Sequence, residues 1–187
     1  MRIIAGALKG RRLRAPTWQG LRPSSGRLRE TLFNVLGGQV KGAIVLDGCA
    51  GTGALGIEAI SRGADRVVFI DHDARAIRLV TENAAKCGVI NKCRIVRGAL
   101  PKMLGLVGLP SEFNLIVLDP NYEEPRIDTI LFSVGGRLAL EGLLVLERSK
   151  RTTPLMVSNL VHVRRVVSGD SVLDFYQRVQ DGRNDIA

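Results

Sequence analysis

The apolar positions along the chain fall into short dense blocks separated by amphipathic stretches. Ala43–Leu46, Arg66–Ile70, Cys93–Val96, Phe113–Leu118 and Leu143–Glu147 are compact runs rich in Val, Ile and Leu, and they read as buried strands. Between them lie helical patterns: Gly53–Arg62, Ala74 to Lys86 closed by Gly88, a short helix near Pro101–Leu106, and Thr129–Ala139. Upstream, Ser24 or Ser25 can cap a helix that runs to about Leu36. Leu28, Leu32, Val35 and Leu36 form its apolar stripe, and Gly37-Gly38 ends it. Arg27 and Arg29 fall off that stripe and can face a partner.

This alternation predicts an α/β fold: a mostly parallel sheet with helices on both faces. The tail differs. Val161–Val167 and Val172–Val179 flank Ser168-Gly169-Asp170-Ser171, which reads as a hairpin turn, so the expected seven-stranded sheet ends in an antiparallel hairpin. Residues 1–22 form a basic N-terminal arm with a possible short hairpin, punctuated by Gly6, Gly10, Pro16 and Gly20. Residues 23–187 form the Rossmann-like core of what is expected to be one domain, and the polar stretch Asp181–Ala187 is expected to fray.

Charge sharpens the picture. Lys plus Arg number 27 against 18 Asp plus Glu, a net charge of +9, which points to a polyanionic partner with nucleic acid first. Arg2, Lys9, Arg11, Arg12, Arg14, Arg22, Arg27 and Arg29 crowd the first thirty residues, where only Glu30 is acidic. That clustering argues for a docking surface, with Arg2, Lys9, Arg11, Arg12, Arg22 and Arg27 as candidate nucleic-acid contacts.

The three cysteines, Cys49, Cys87 and Cys93, include no C-x-x-C pair and read as reduced thiols of a cytoplasmic protein. His72 and His162 are too few and too far apart for a metal site, so no metal is expected. No apolar stretch approaches the ~20 residues of a membrane span, and no signal peptide is expected.

Between the first strand and its helix lies Asp47-Gly48-Cys49-Ala50-Gly51-Thr52-Gly53-Ala54-Leu55-Gly56. Glycines let the backbone turn sharply beside a ligand, and the helix N-terminus behind them offers free N–H groups. Gly51, Gly53 and Gly56 fit G-x-G-x-x-G in its strand-to-helix context. Asp71 closes the second strand 20 residues past Gly51, where a carboxylate can accept both hydroxyls of a ribose. Two ligands suit such a loop, NAD(P) and S-adenosylmethionine. Asp47 at the end of the first strand would repel a pyrophosphate but suits a cationic methionine group. At 187 residues the chain is also expected to leave no second domain for a dehydrogenase substrate.

Asp119-Pro120-Asn121-Tyr122 follows the fourth strand, where open α/β sheets place their chemistry. A carboxylate can accept a proton from an amine, proline holds the turn rigid, and tyrosine offers a face for a base. The set suits methylation of an exocyclic amine on a nucleobase; a capped turn is the plainer reading. Adenine or protein glutamine would suit the same tetrapeptide. A non-catalytic RNA-binding assembly factor is the alternative from another class.

Arg22-Pro23-Ser24-Ser25-Gly26-Arg27-Leu28-Arg29-Glu30-Thr31-Leu32-Phe33-Asn34-Val35-Leu36 resembles the N-terminal signature of the RsmD family. Leu46 through Ala64 resembles its cofactor loop and first helix, and the likeness runs from Met1 to the final hairpin. It implies a class I methyltransferase fold and transfer from S-adenosylmethionine to the 2-amino group of one guanine in 16S rRNA, within small-subunit particles. It also implies a cofactor site of Asp47, Gly48, Cys49, Ala50, Gly51, Gly53, Asp71 and His72, with Asp119, Pro120, Asn121 and Tyr122 as the catalytic turn. Three departures stand out. The family's usual Thr and Asp after Arg-Pro are replaced near Ser24 to Gly26, where a loop covering the site is expected. Asn121 replaces the family's usual second proline, and Arg97-Gly98-Ala99-Leu100 lacks the acid that often meets the adenine, so the backbone near Ala99 is expected to hold that base.

Overall fold

The computed structural model describes residues 1–18, 25–120 and 124–179. Arg22, Ser24, Asn121, Tyr122 and the stretch Asp181–Ala187 lie outside the described residues.

The strands are β1 (Ile44–Gly48), β2 (Arg66–Asp71), β3 (Cys93–Arg97), β4 (Phe113–Leu118), β5 (Leu138–Ser149), β6 (Leu160–Ser168) and β7 (Ser171–Arg178). They form one sheet in the order β3-β2-β1-β4-β5-β7-β6. β1 to β5 pair in parallel, whereas β7 runs antiparallel to both β5 and β6. The mostly parallel sheet with a final antiparallel hairpin is therefore as the sequence predicts.

A period of two is hidden inside the continuous apolar runs. Val45, Val67, Phe69, Leu115 and Val117 face one core, while Leu46, Val68, Ile70, Ile116 and Leu118 face another. Helices α1 (Gly26–Leu36), α2 (Ala54–Ser61) and α3 (Ala74–Cys87) cover the first face; α4 (Ile127–Gly135) covers the second, together with Leu100 and Leu104. Ser25 caps α1, its hydroxyl accepting from the N–H of Leu28 at 3.1 Å. Asp73 caps α3, and Gly88 closes it in the left-handed region.

Two expectations need correction. The fourth helix does not span Thr129–Ala139. It runs from Ile127 to Gly135, and Leu138 and Ala139 already belong to the 12-residue β5. The helical spacing of Val134 and Leu138 misleads, because the chain turns at Gly135-Gly136 and the Phe113 N–H then captures the Arg137 carbonyl at 2.8 Å. Arg29 does not face a partner either. It is 2 % exposed, with Nη2 donating to the carbonyl of Arg2 at 3.0 Å and Nη1 lying 3.5 Å from Glu58 Oε2. Burial pushes its guanidinium pKa down, and the charge of Glu58 opposes that shift.

The cause is the arm. Its hairpin forms: Ile3 N–H bonds the Arg11 carbonyl at 3.0 Å, Gly10 N–H returns to Ile3 at 2.9 Å, and Ile3 and Leu13 are buried. The hairpin is then clamped onto α2. Glu58, wholly buried, accepts from Ile4 N–H at 2.8 Å, Ala5 N–H at 3.0 Å and Arg62 Nε at 2.9 Å. Gly6 permits the contact, since a Cβ there would lie 1.9 Å from the Ser61 carbonyl oxygen.

Candidate active site at the carboxyl edge of the sheet

In the sheet register Gly48 pairs with Ile70 on one side and Leu118 on the other. The residues that follow, Cys49, Asp71 and Asp119, therefore leave the sheet side by side. Strand order reverses across β1, and this edge is the crevice where open α/β sheets bind ligands. Gly48 leaves room for the side chains packed over it, because a Cβ would sit 2.6 Å from a Leu118 methyl and 2.8 Å from a Leu100 methyl.

The loop after β1 is shaped by backbone bonds. The N–H groups of Cys49 and Ala50 both donate to the Ile70 carbonyl, at 2.9 and 3.1 Å. Cys49 adopts φ +69°, a left-handed conformation costly for a residue with a side chain and characteristic of functional turns. Gly51 N–H donates to Asp71 Oδ2 at 2.9 Å, and Asp73 N–H to Asp71 Oδ1 at 2.9 Å. Each Asp71 oxygen thus keeps acceptor capacity for a further donor. Gly53 begins α2 without any side-chain cap. Asp47 is 2 % exposed and accepts from Gly56 N–H at 2.9 Å, which braces β1 against α2.

On the β2–β3 side, Asp71, His72 and Ala99 share a corner. His72 is exposed with Nδ1 3.7 Å from Asp71 Oδ1, and the Gly98 N–H bonds the Asp71 carbonyl at 2.9 Å, bringing Ala99 alongside. On the β4 side, Asp119 is half-buried and Pro120 buried.

The field of this edge is acidic. Burial pushes the Asp47 carboxyl up to about 8; the Gly56 bond opposes this, while Asp119 and Asp71 add to it. Burial, with Asp71, Asp119, Asp47 and Glu124 reinforcing it, pushes the Cys49 thiol up to about 12, so it stays protonated and unreactive. A bound cation relieves this repulsion, and a pyrophosphate would increase it. These carboxylate acceptors fit S-adenosylmethionine. Among the described residues no group of three His, Cys, Asp or Glu could hold a metal, and no helix is long and apolar enough to cross a membrane.

Of the candidate RNA contacts, Arg2, Lys9, Arg11 and Arg12 are exposed on the arm hairpin and Arg27 is exposed on α1. Arg11 reaches the Lys86 carbonyl at 3.3 Å and Arg14 pairs with Glu82 at 2.6 Å, so the hairpin also lies along α3. Two residues that organise the site are missing from the sequence-level reading. Glu58 anchors the arm, and Asn83 ties the arm to the cofactor loop: its amide donates to Thr52 at 2.9 Å and to Arg14 at 3.2 Å and accepts from Arg14 N–H at 2.8 Å. Each is a polar side chain inside an otherwise apolar helix stripe, a signal that was available.

The family described as "Conserved hypothetical protein 95" matches residues 1–177. The chain is 35 % identical over 188 residues to ribosomal RNA small subunit methyltransferase D of Escherichia coli strain K12, covering 99 % of this chain and 93 % of the relative. It is 32 % identical over 182 residues to YlbH of Bacillus subtilis strain 168, covering 95 % and 99 %. The solved structure of yhhF from Escherichia coli superposes with a TM-score of 0.83 at 30 % identity, covering 95 % of this chain and 97 % of that one.

Proposed function

Because the chain belongs to the RsmD family, that of ribosomal RNA small subunit methyltransferase D, we propose that it methylates the exocyclic 2-amino group of a guanine in 16S rRNA, using S-adenosylmethionine. The reading places it in the cytoplasm, acting on small-subunit particles. One observation carries it: Asp47, Asp71 and Asp119 surround one glycine-rich loop at the carboxyl edge of β1, β2 and β4, an acidic field made for a cationic methyl donor.

In this reading Asp71 takes the ribose hydroxyls, the backbone near Ala99 with His72 flanks the adenine, and Gly48 to Gly53 with Asp47 hold the methionine end. The cofactor supplies a methyl group already activated on a positive sulfur. The chain's own residues act on the amine. A guanine turned out of its stack reaches the turn after β4. There the Asp119 carboxylate and the Pro120 carbonyl accept hydrogen bonds from its two N–H groups. That holds the amine so that its lone pair, otherwise delocalised into the ring, points away from the acceptors. Asp119 receives the proton that the amine sheds as it is alkylated. Tyr122 is assigned to stack on the base from its place in the sequence. Cys49, held as a thiol, forms no covalent intermediate. Holding the reacting groups in line can supply several kcal/mol, with ~7–11 as the general upper range.

The test is methylation of small-subunit particles that lack the modification, followed by mapping of the product nucleoside. N2-methylguanosine is the expected product. Methyladenosine, methylated ribosomal protein or no transfer would overturn the assignment.

A further inference from the structure

The arm and α3 form the walls of an open cleft, lined by Arg14, Trp18, Arg75, Arg78, Leu79 and Glu82 among others, with a volume of about 460 Å³. That volume is in the range of small-molecule sites. Its organisation is specific. The Arg75 guanidinium lies 5.1 Å from the centre of the Trp18 ring. Asp73 fixes it there by a two-point contact, Nε to Oδ1 at 3.1 Å and Nη2 to Oδ2 at 2.7 Å. Arg14 and Glu82, paired at 2.6 Å, belong to the same lining. Arg78 also lines the cavity, is exposed, and has no carboxylate partner among the described residues. Fastening the arm to α3 accounts for Arg75 over Trp18, but not for an unneutralised arginine beside an open volume. Among the described residues the lining carries three arginines against one glutamate.

We propose that this cleft binds one unpaired nucleotide of the RNA strand, its base stacked on the Trp18–Arg75 pair and its phosphate held by Arg78. Aromatic rings and arginine planes are the general platforms for splayed-out bases, and they accept any base because every base has a π-face. The cleft opens on the first turns of α3, which starts three residues after Asp71, so a single strand can lie across it and continue to the sheet edge. The inference rests on the RNA reading of the protein. It adds a contact outside the methyl-transfer site that grips flanking, single-stranded sequence.

Trp18 is the only tryptophan in the chain, so its emission reports on the cleft. The experiment titrates hexaadenylate RNA into the protein saturated with S-adenosylhomocysteine at low salt, following tryptophan emission and the anisotropy of labelled oligonucleotide. Saturable quenching is expected with the single strand, and none with a duplex RNA of the same length. Trp18→Ala should weaken binding by about 5–150-fold, the range for loss of one stacked base. Arg78→Ala, at an exposed position that folding does not depend on, should weaken it and make its salt dependence shallower. Cofactor affinity should be unchanged in both. The proposal is overturned if wild type does not bind the hexamer, if emission is unmoved while it binds, if both variants bind like wild type, or if both lose cofactor instead. These outcomes are independent of methyl transfer. Particles left unmethylated by wild type would sink the proposed function, whereas oligonucleotide binding untouched by the two variants would sink this subsite alone.

Discussion

The Asp71 carboxylate accepts the backbone N–H of Gly51 at 2.9 Å, joining the end of β2 to the middle of the loop after β1. The side chain assigned to a ribose is thus also the one that shapes the loop. Asp71→Ala should weaken S-adenosylmethionine binding by about 1–3 kcal/mol through lost charge-assisted hydrogen bonds. Asp71→Asn, which keeps a neutral acceptor for Gly51, should lose less. Calorimetry on variants shown to be folded checks the order. Equal affinity for all three proteins would remove Asp71 from the cofactor site.

Glu58 gathers the arm, α1 and α2 at one buried carboxylate. Glu58→Ala strands the buried Arg29 charge and two backbone donors, and should cost about 3–5 kcal/mol of stability. Denaturant melts should show the loss. Hydrogen exchange should show faster exchange at Ile4 and Ala5. A variant as stable as wild type would mean that the arm contributes nothing to the fold.

Asp47 makes stability depend on pH. The folded state keeps the Asp47 proton up to about 8, whereas the unfolded chain releases it near ~4. Between those values the folded state binds more protons, so stability should fall as pH rises from about 4 to about 8. Asp47→Asn should flatten that part of the profile. A cationic cofactor favours the ionised form, so binding at pH 7 should release protons from wild type but not from Asp47→Asn. Calorimetry in buffers of different ionisation enthalpy reads this directly, and proton release of equal size in both proteins would exclude Asp47 as the source.

The exposed arginines of the arm hairpin set the salt dependence of RNA binding in this account. Replacing Arg11 and Arg12 by alanine should lower RNA affinity and make its salt slope shallower, with cofactor affinity barely changed. Neither side chain is part of the Glu58 cluster, so the fold should hold. An unaltered slope would leave the hairpin a basic surface without a partner.

What could be read from the sequence divides along local and tertiary lines. β4 has the bounds that its apolar run predicts, because a strand buried on both faces is continuous and ends at polar residues. α3 starts at its Asp73 cap and stops at Gly88, both local signals. The glycine loop and Asp71 meet as their spacing implies, since strand, turn and helix lengths leave little choice. Arg29 was unreadable because its surroundings come from an arm some 27 residues away in sequence. The α4–β5 boundary was unreadable because Leu138 serves a helical period and a strand equally well. The left-handed Cys49 and the cleft beside Trp18 have no local signature either; each exists only after the loop or the arm has docked.

The central claim is that the turn after β4 carries out transfer to an amine, and Asp119 tests it most directly. Single-turnover methylation of unmodified small-subunit particles, with cofactor saturating, compares wild type with Asp119→Ala. Removing one well-placed polar group at a reaction centre should slow transfer by at least roughly a hundredfold. Fold should remain intact, because Asp119 lies beyond the end of β4. Cofactor should still bind, because its assigned contacts lie mainly on β1, β2 and β3. A wild-type single-turnover rate from Asp119→Ala would contradict the account.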